Sequence, residues 1–201
     1  MKTHTHHIDF ADTIFLRAFA IILIINSHLD RYYPVPYIAT GGAIGNSIFF
    51  FLSAFGLSMS QQKRRKEFAQ YIAHRVSRIY PSLWIVLITL YMPVMIWKGK
   101  LSYSSITTFI GNFFNPPFWF LQYLLVYYLV TFPLLKNTRK AGTLVIMGLL
   151  GLLYAAGYVS LVDLTKWSVE ESPFDLIHYL MVFIFGIYIA AKKESIVYSG
   201  V

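Results

Sequence analysis

The chain contains no cysteine. That excludes disulfides, a thiol nucleophile and any cysteine-ligated metal centre. Charge is also scarce. Asp, Glu, Lys and Arg make up 13% of the 201 residues, about half the quarter that soluble domains carry. Acidic residues are the rarer kind, 9 against 17 Lys and Arg. No internal repeat is present, which removes the signature of an inverted-repeat transporter. The first apolar run follows a His-rich start and has no small-residue cleavage site after it, so it reads as a retained helix rather than a cleaved signal.

What fills the space is hydrocarbon. Apolar residues make up 57% of the chain and its mean hydropathy is +0.57. The apolar runs approach the ~20 residues that a helix needs to cross a bilayer. The sequence therefore predicts an all-α, polytopic transmembrane bundle in one membrane domain, 1–201. Six spans are expected, at about 12–30, 43–60, 79–97, 118–135, 142–161 and 174–191. The breaks are legible. Asp30-Arg31-Tyr32-Tyr33-Pro34-Val35-Pro36 closes the first span, and Asn115-Pro116-Pro117 opens the fourth. Ser172-Pro173-Phe174-Asp175 opens the last, with Ser172 as N-cap and Pro173 at the first helical position. Tyr 15 and Phe 17 suit such a protein, because aromatics collect at membrane interfaces.

The basic residues orient the bundle. If six spans alternate, Lys2, Lys63, Arg64, Arg65, Lys66, Arg75, Arg78, Lys136, Arg139, Lys140, Lys192 and Lys193 share one side, and Arg31, Lys98, Lys100 and Lys166 take the other. The positive-inside rule makes the first side, and both termini, cytoplasmic. A net charge of +8 spread over short loops is thus a topology signal and not a nucleic-acid surface. Thr3-His4-Thr5-His6-His7 reads as a polar tail. No metal site is expected, since the histidines show no ligand spacing on one helix face.

Two ionisable residues share the first apolar run, Arg17 and His28. Eleven residues at about 100° each bring them back to one face, ~16 Å apart along the axis. Ionisable groups in a membrane-length segment are costly and point to function. On residue type alone, Arg17 is equally readable as a side chain snorkelling to headgroups, and His28 as a hydrogen-bonded helix-end histidine. A second basic feature precedes the third span. Phe68, Ile72, Val76 and Ile79 recur at helical spacing among Lys and Arg, an interfacial amphipathic pattern over about 62–78. It ends in Arg75-Val76-Ser77-Arg78, two guanidiniums at i and i+3. Guanidinium forks suit phosphate oxygens. Attraction to anionic headgroups is the plainer alternative.

Four segments together resemble one family. They are Arg17-x10-His28 preceded by Leu16 and followed by Ala18-Phe19-Ala20-Ile21; Gly45-Asn46-Ser47-Ile48-Phe49-Phe50-Phe51-Leu52-Ser53-Ala54-Phe55; Arg75-x-x-Arg78-Ile79-Tyr80-Pro81; and Phe118-Trp119-Phe120-Leu121 with Tyr127-Tyr128-Leu129. In this order and spacing the chain resembles the acyltransferase-3 family of bacterial membrane O-acyltransferases. Ala54 stands where that family usually has glycine, the smallest possible change for close helix packing. Relatives carry more spans than the six legible here, so the C-terminal spans are expected to be absent from this sequence.

The resemblance implies a function. Such enzymes move an acyl group, often acetyl, from cytoplasmic acyl-CoA to a hydroxyl of a cell-envelope glycan, glycolipid or related acceptor, within the bacterial inner membrane. Acyl-CoA is then a co-substrate, and no metal or nucleic acid is involved. Carried onto this chain, His28 is the general base on the acceptor hydroxyl and Arg17 meets the donor at the inner mouth. Arg75 and Arg78 hold the CoA phosphates. Asn26 and Ser53 are candidate donors to substrate or oxyanion. On residue type alone, Ser53 and Ser58 more simply let helices approach, Trp119, Tyr127 and Tyr128 serve packing, and Asp175 caps a helix rather than pairing with His178. A non-catalytic scaffold left from a longer enzyme and an exporter of an envelope metabolite are the competing readings.

Overall fold

The computed structural model describes residues 10–99, 102–115, 118–136, 140–161 and 175–198. The expectations for Lys2, His4, His6, His7, Lys100, Pro116, Pro117, Arg139, Lys166, Ser172 and Pro173 lie outside them. Among the described residues there are helices and no strand, as an all-α chain requires. Seven helices are α1 (Phe10–Ser27), α2 (Gly42–Lys63), α3 (Phe68–Trp97), α4 (Tyr103–Asn112), α5 (Trp119–Lys136), α6 (Lys140–Leu161) and α7 (Asp175–Tyr198). Among the described residues, four stretches are long and apolar enough to cross a membrane: Gly42–Lys63, Phe68–Trp97, Trp119–Lys136 and Asp175–Lys192. Gly142–Gly157 is a shorter apolar helix.

Contacts divide the chain into two compact units, residues 1–63 with 133–201, and residues 64–132. In the first, α2 packs on both α1 and α7, and α6 packs on α7. Small residues set these crossings. A Cβ on Gly186 of α7 would stand 2.6 Å from the Phe51 carbonyl oxygen and 2.9 Å from the Ala54 Cβ. Backbones meet there because one partner is glycine and the other only alanine. Ala54 therefore keeps the close packing that a glycine at its position would give, with Gly186 supplying the space. Gly45 plays the same part against α1, where an added Cβ would lie 2.7 Å from the Ala20 carbonyl oxygen. Around these contacts Phe50, Leu52 and Leu57 of α2 and Phe183, Ile184 and Ile187 of α7 are buried. The Phe50 and Tyr179 rings lie 5.0 Å apart.

In the second unit, α3 is the spine. The expected basic helix of about 62–78 starts only at Phe68, Arg64–Glu67 lying outside any helix, and from there it forms one continuous helix with the third span to Trp97, with Pro81 inside it and one wide π-turn at Leu87–Tyr91. Its 30 residues make it ~45 Å long. The chain then returns along it. Tyr91 stacks on Phe109 at 6.0 Å, Trp84 lies beside Phe113 at 6.3 Å, Tyr71 meets Tyr128 at 6.4 Å, and Phe68 meets Phe132 at 5.1 Å. Numbers fall on α3 as they rise on its partner, so α4 and α5 together run antiparallel to α3. The segment 98–117, expected as a connection between spans, contains α4. Its N-cap is Ser102, whose hydroxyl accepts from the Ser105 N–H at 3.2 Å.

Candidate functional site

The first group of expected site residues lies at the end of α1. The helical turn continues to His28, whose N–H donates to the Ile25 carbonyl at 3.0 Å. Arg17 and His28 are both exposed; Arg17 lies near the middle of α1 and His28 just past its C-terminal end. Asn26 is fully engaged. Its amide nitrogen donates to the carbonyls of Ile38 at 2.8 Å and Thr40 at 3.0 Å, and its amide oxygen accepts from the Tyr33 hydroxyl at 2.7 Å. Both N–H bonds are committed, so Asn26 ties the 28–41 connection to α1. Ser27 donates to the Ile24 carbonyl at 2.8 Å and stands against Gly42.

The antiparallel pairing of α1 and α2 then locates Ser53. Gly42 meets Ser27, and Gly45 meets Ala20 and Ile24. Ser53, eleven residues beyond Gly42, is ~16 Å further along α2. It is half-buried and roughly level with Arg17, midway along both helices and away from His28. Thus Asn26, Ser27 and His28 lie at the C-terminal end of α1, while Arg17 and Ser53 lie near the middle of α1 and α2.

The second group belongs to α3. Arg78 is exposed and Arg75 half-buried. The Arg75 guanidinium carbon lies 5.9 Å from the centre of the Tyr71 ring, a cation–π arrangement. Tyr71 is itself fixed, its hydroxyl donating to the Tyr128 carbonyl at 3.2 Å. Among the described residues, Arg75 Nε and the neighbouring His74 Nδ1 are buried without a hydrogen-bond partner. Sequence reasoning passed over His74; its place beside Arg75 was the available signal. Arg75 stands one turn past the Tyr71–Tyr128 contact, so it faces the apolar length of α5 rather than its end.

A family model described as an acyltransferase domain matches residues 10–197. The chain belongs to the acyltransferase-3 family. No curated protein and no solved structure matches it.

As an acyltransferase-3 protein with membrane-length helices, the chain is an integral membrane acyltransferase. The other residues weighed from sequence fall mostly into packing. Tyr127 and Tyr128 are buried. Ser58 is buried on α2, and the Gln62 amide nitrogen donates to its hydroxyl at 3.4 Å. Trp119 is exposed and lies 5.2 Å from the Tyr123 ring. His178 faces Tyr154 at 5.9 Å. Among the described residues, no three of His, Asp and Glu gather as a metal-binding group.

Proposed function

We propose that this acyltransferase uses acyl-CoA and delivers the acyl group, assigned as acetyl, to a hydroxyl of a cell-envelope glycan or glycolipid. The observation that carries this reading is Arg75. A guanidinium held against an aromatic ring with a buried, unpartnered Nε is a donor prepared for an anion. Burying such a group unpaired costs free energy that a ligand oxygen offsets. Arg75 is assigned to the donor's phosphates.

His28 is assigned to the acceptor. Its neutral imidazole takes the hydroxyl proton as the oxygen attacks the thioester carbonyl. The C–S bond then breaks, the ester forms, and the imidazolium returns its proton to the CoA thiolate. Arg17, a cation within the apolar run of the same helix, is assigned to a negatively polarised part of the donor. Asn26 acts by holding the loop beside His28. The basic residues support six crossings of a bacterial inner membrane with both termini cytoplasmic.

The test is transfer from acetyl-CoA to a glycoside acceptor by protein in nanodiscs. Arg75→Ala is expected to weaken CoA binding, and His28→Ala to preserve binding and lose transfer. Full transfer by both variants would remove these roles.

A further inference from the structure

The seam between α1 and α2 carries a polar side chain that the acyl-transfer reading leaves unused, Asn46. The glycine contacts fix where it stands. Gly42 meets Ser27, and Gly45 meets Ala20 and Ile24, so these positions face each other across two antiparallel helices. At about 100° per residue, Asn46 lies roughly 70° round α2 from the centre of Gly42 and Gly45. Arg17 and His28 lie roughly 50–75° round α1 from the centre of Ala20, Ile24 and Ser27. Both rotations run in the direction of the chain. In antiparallel helices, rotations of that sense lead to the same side of the seam. Arg17, His28 and Asn46 therefore share one side.

Height brings Asn46 toward His28. It is one turn, ~6 Å, along α2 from Gly42, which sets it between the levels of His28 and Arg17. Side chains on a helix tilt toward its N-terminus. On antiparallel helices His28 and Asn46 thus lean toward one another. Ser53 shares their side but stays level with Arg17.

The Asn46 amide is also unspent. Asn46 is half-buried in an apolar helix, and among the described residues it has no hydrogen-bond partner. Its polar neighbours are committed. Asn26 and Tyr33 bond within the loop, Ser27 donates to the Ile24 carbonyl, and Ser47 donates to the Ala43 carbonyl at 2.8 Å. An asparagine that held two helices together would bond across the seam, and Asn46 does not. A polar group kept without a partner in a membrane-length helix costs stability and points to a ligand.

We propose that Asn46 is a further catalytic residue, the donor to the oxyanion formed in acyl transfer. This rests on the acyl-transfer reading, with His28 as its base. The acceptor hydroxyl gives its proton to His28 while its oxygen bonds to the thioester carbon. The carbonyl π pair moves to the carbonyl oxygen, and the Asn46 Nδ2–H donates to the oxyanion so formed. On collapse the C=O re-forms, the C–S bond breaks, and the CoA thiolate takes the proton from the imidazolium. Base and oxyanion donor must approach the same reacting group, each at about 3 Å from its partner atom. Asn46, leaning toward His28, is placed for this. Ser53 is too far along the seam, and Asn26 has no side-chain N–H left.

The experiment measures acetyl-CoA turnover with a glycoside acceptor in nanodiscs, and thermal unfolding, for wild type, Asn46→Ala, Asn46→Asp and His28→Ala. Asn46→Ala is expected to lower kcat about 10²–10³-fold, with KM unchanged for both substrates. Its unfolding temperature is expected to equal or exceed that of wild type, because alanine removes an unpaired amide and favours helix. Asn46→Asp keeps the size but replaces the donor with an acceptor, and is expected to lose at least as much turnover. Undiminished kcat in Asn46→Ala overturns the proposal. So does a rise in KM alone, or a lowered unfolding temperature, which would make Asn46 a structural residue. Turnover that needs His28 but not Asn46 removes this inference alone. Turnover independent of His28, or none by wild type, removes the acyl-transfer reading and this inference with it.

Discussion

The Tyr80 hydroxyl and the Phe114 carbonyl are joined across 2.8 Å although 34 residues separate them in sequence. With the Trp84–Phe113 bond beside it, this contact closes the break between α4 and α5 against the middle of α3. A broken helix frees carbonyls, and two aromatic side chains of the neighbouring helix take them up.

Removing these donors has a defined cost. Tyr80→Phe and Trp84→Phe each leave one carbonyl without its partner, a loss of about 1 kcal/mol apiece. The two sites are one turn apart and share a segment, so the double variant is expected to be non-additive. Thermal unfolding in detergent measures this. Stability unchanged in both single variants would show that water or lipid satisfies those carbonyls equally well.

The crossing of α2 and α7 makes a sharper prediction. An added methyl at Gly186 meets backbone atoms of Phe51 and Phe55 as well as the Ala54 Cβ. Backbone cannot swing aside, so Gly186→Ala is expected to destabilise by ~1–3 kcal/mol through overpacking. Gly56 on α2 has nothing within 4 Å of its added Cβ. Gly56→Ala is expected to be neutral, or stabilising by up to ~1 kcal/mol from helix propensity. Equal effects of the two substitutions would contradict the crossing.

Asn26 has been assigned to position a loop. Asn26→Ala strands the carbonyls of Ile38 and Thr40 and the Tyr33 hydroxyl. Asn26→Asp keeps only the acceptor for Tyr33. Amide exchange over 28–41 is expected to rise in both, with transfer falling in both. Protection equal to that of the parent in Asn26→Ala would remove the assignment.

Arg75 is expected not to tolerate lysine. Arg75→Lys keeps the charge but loses the planar fork and the ring stacking. Hydrogen bonds to charged groups are worth ~1.5–3 kcal/mol, so CoA binding should weaken about tenfold or more. Calorimetric titration of the full chain with CoA checks it, and unchanged affinity would reduce Arg75 to a structural cation.

Much of the fold was legible because membrane helices are written in composition and length. The helical period related Arg17 to His28. Other features depended on contacts that no local pattern encodes. Tyr103–Asn112 is rich in Ser and Thr, so its run looked like a connection, although its Ser102 cap was present in the sequence. Asn26 resembled a substrate donor because its partners, Ile38 and Thr40, lie 12 and 14 residues away. The Tyr80–Phe114 bond was hidden for the same reason, since it exists only where the chain returns to α3. Arg75 and Arg78 looked equivalent at i and i+3, and packing against Tyr71 distinguishes them.

The central claim is most directly tested by release of CoA thiol from acetyl-CoA in the presence of a glycoside acceptor, comparing wild type and His28→Ala in nanodiscs. The account predicts release by the wild type and a loss of about 10²–10⁴-fold in His28→Ala, with CoA binding unchanged. Equal release by the two proteins, or no CoA binding by folded wild-type protein, would contradict it.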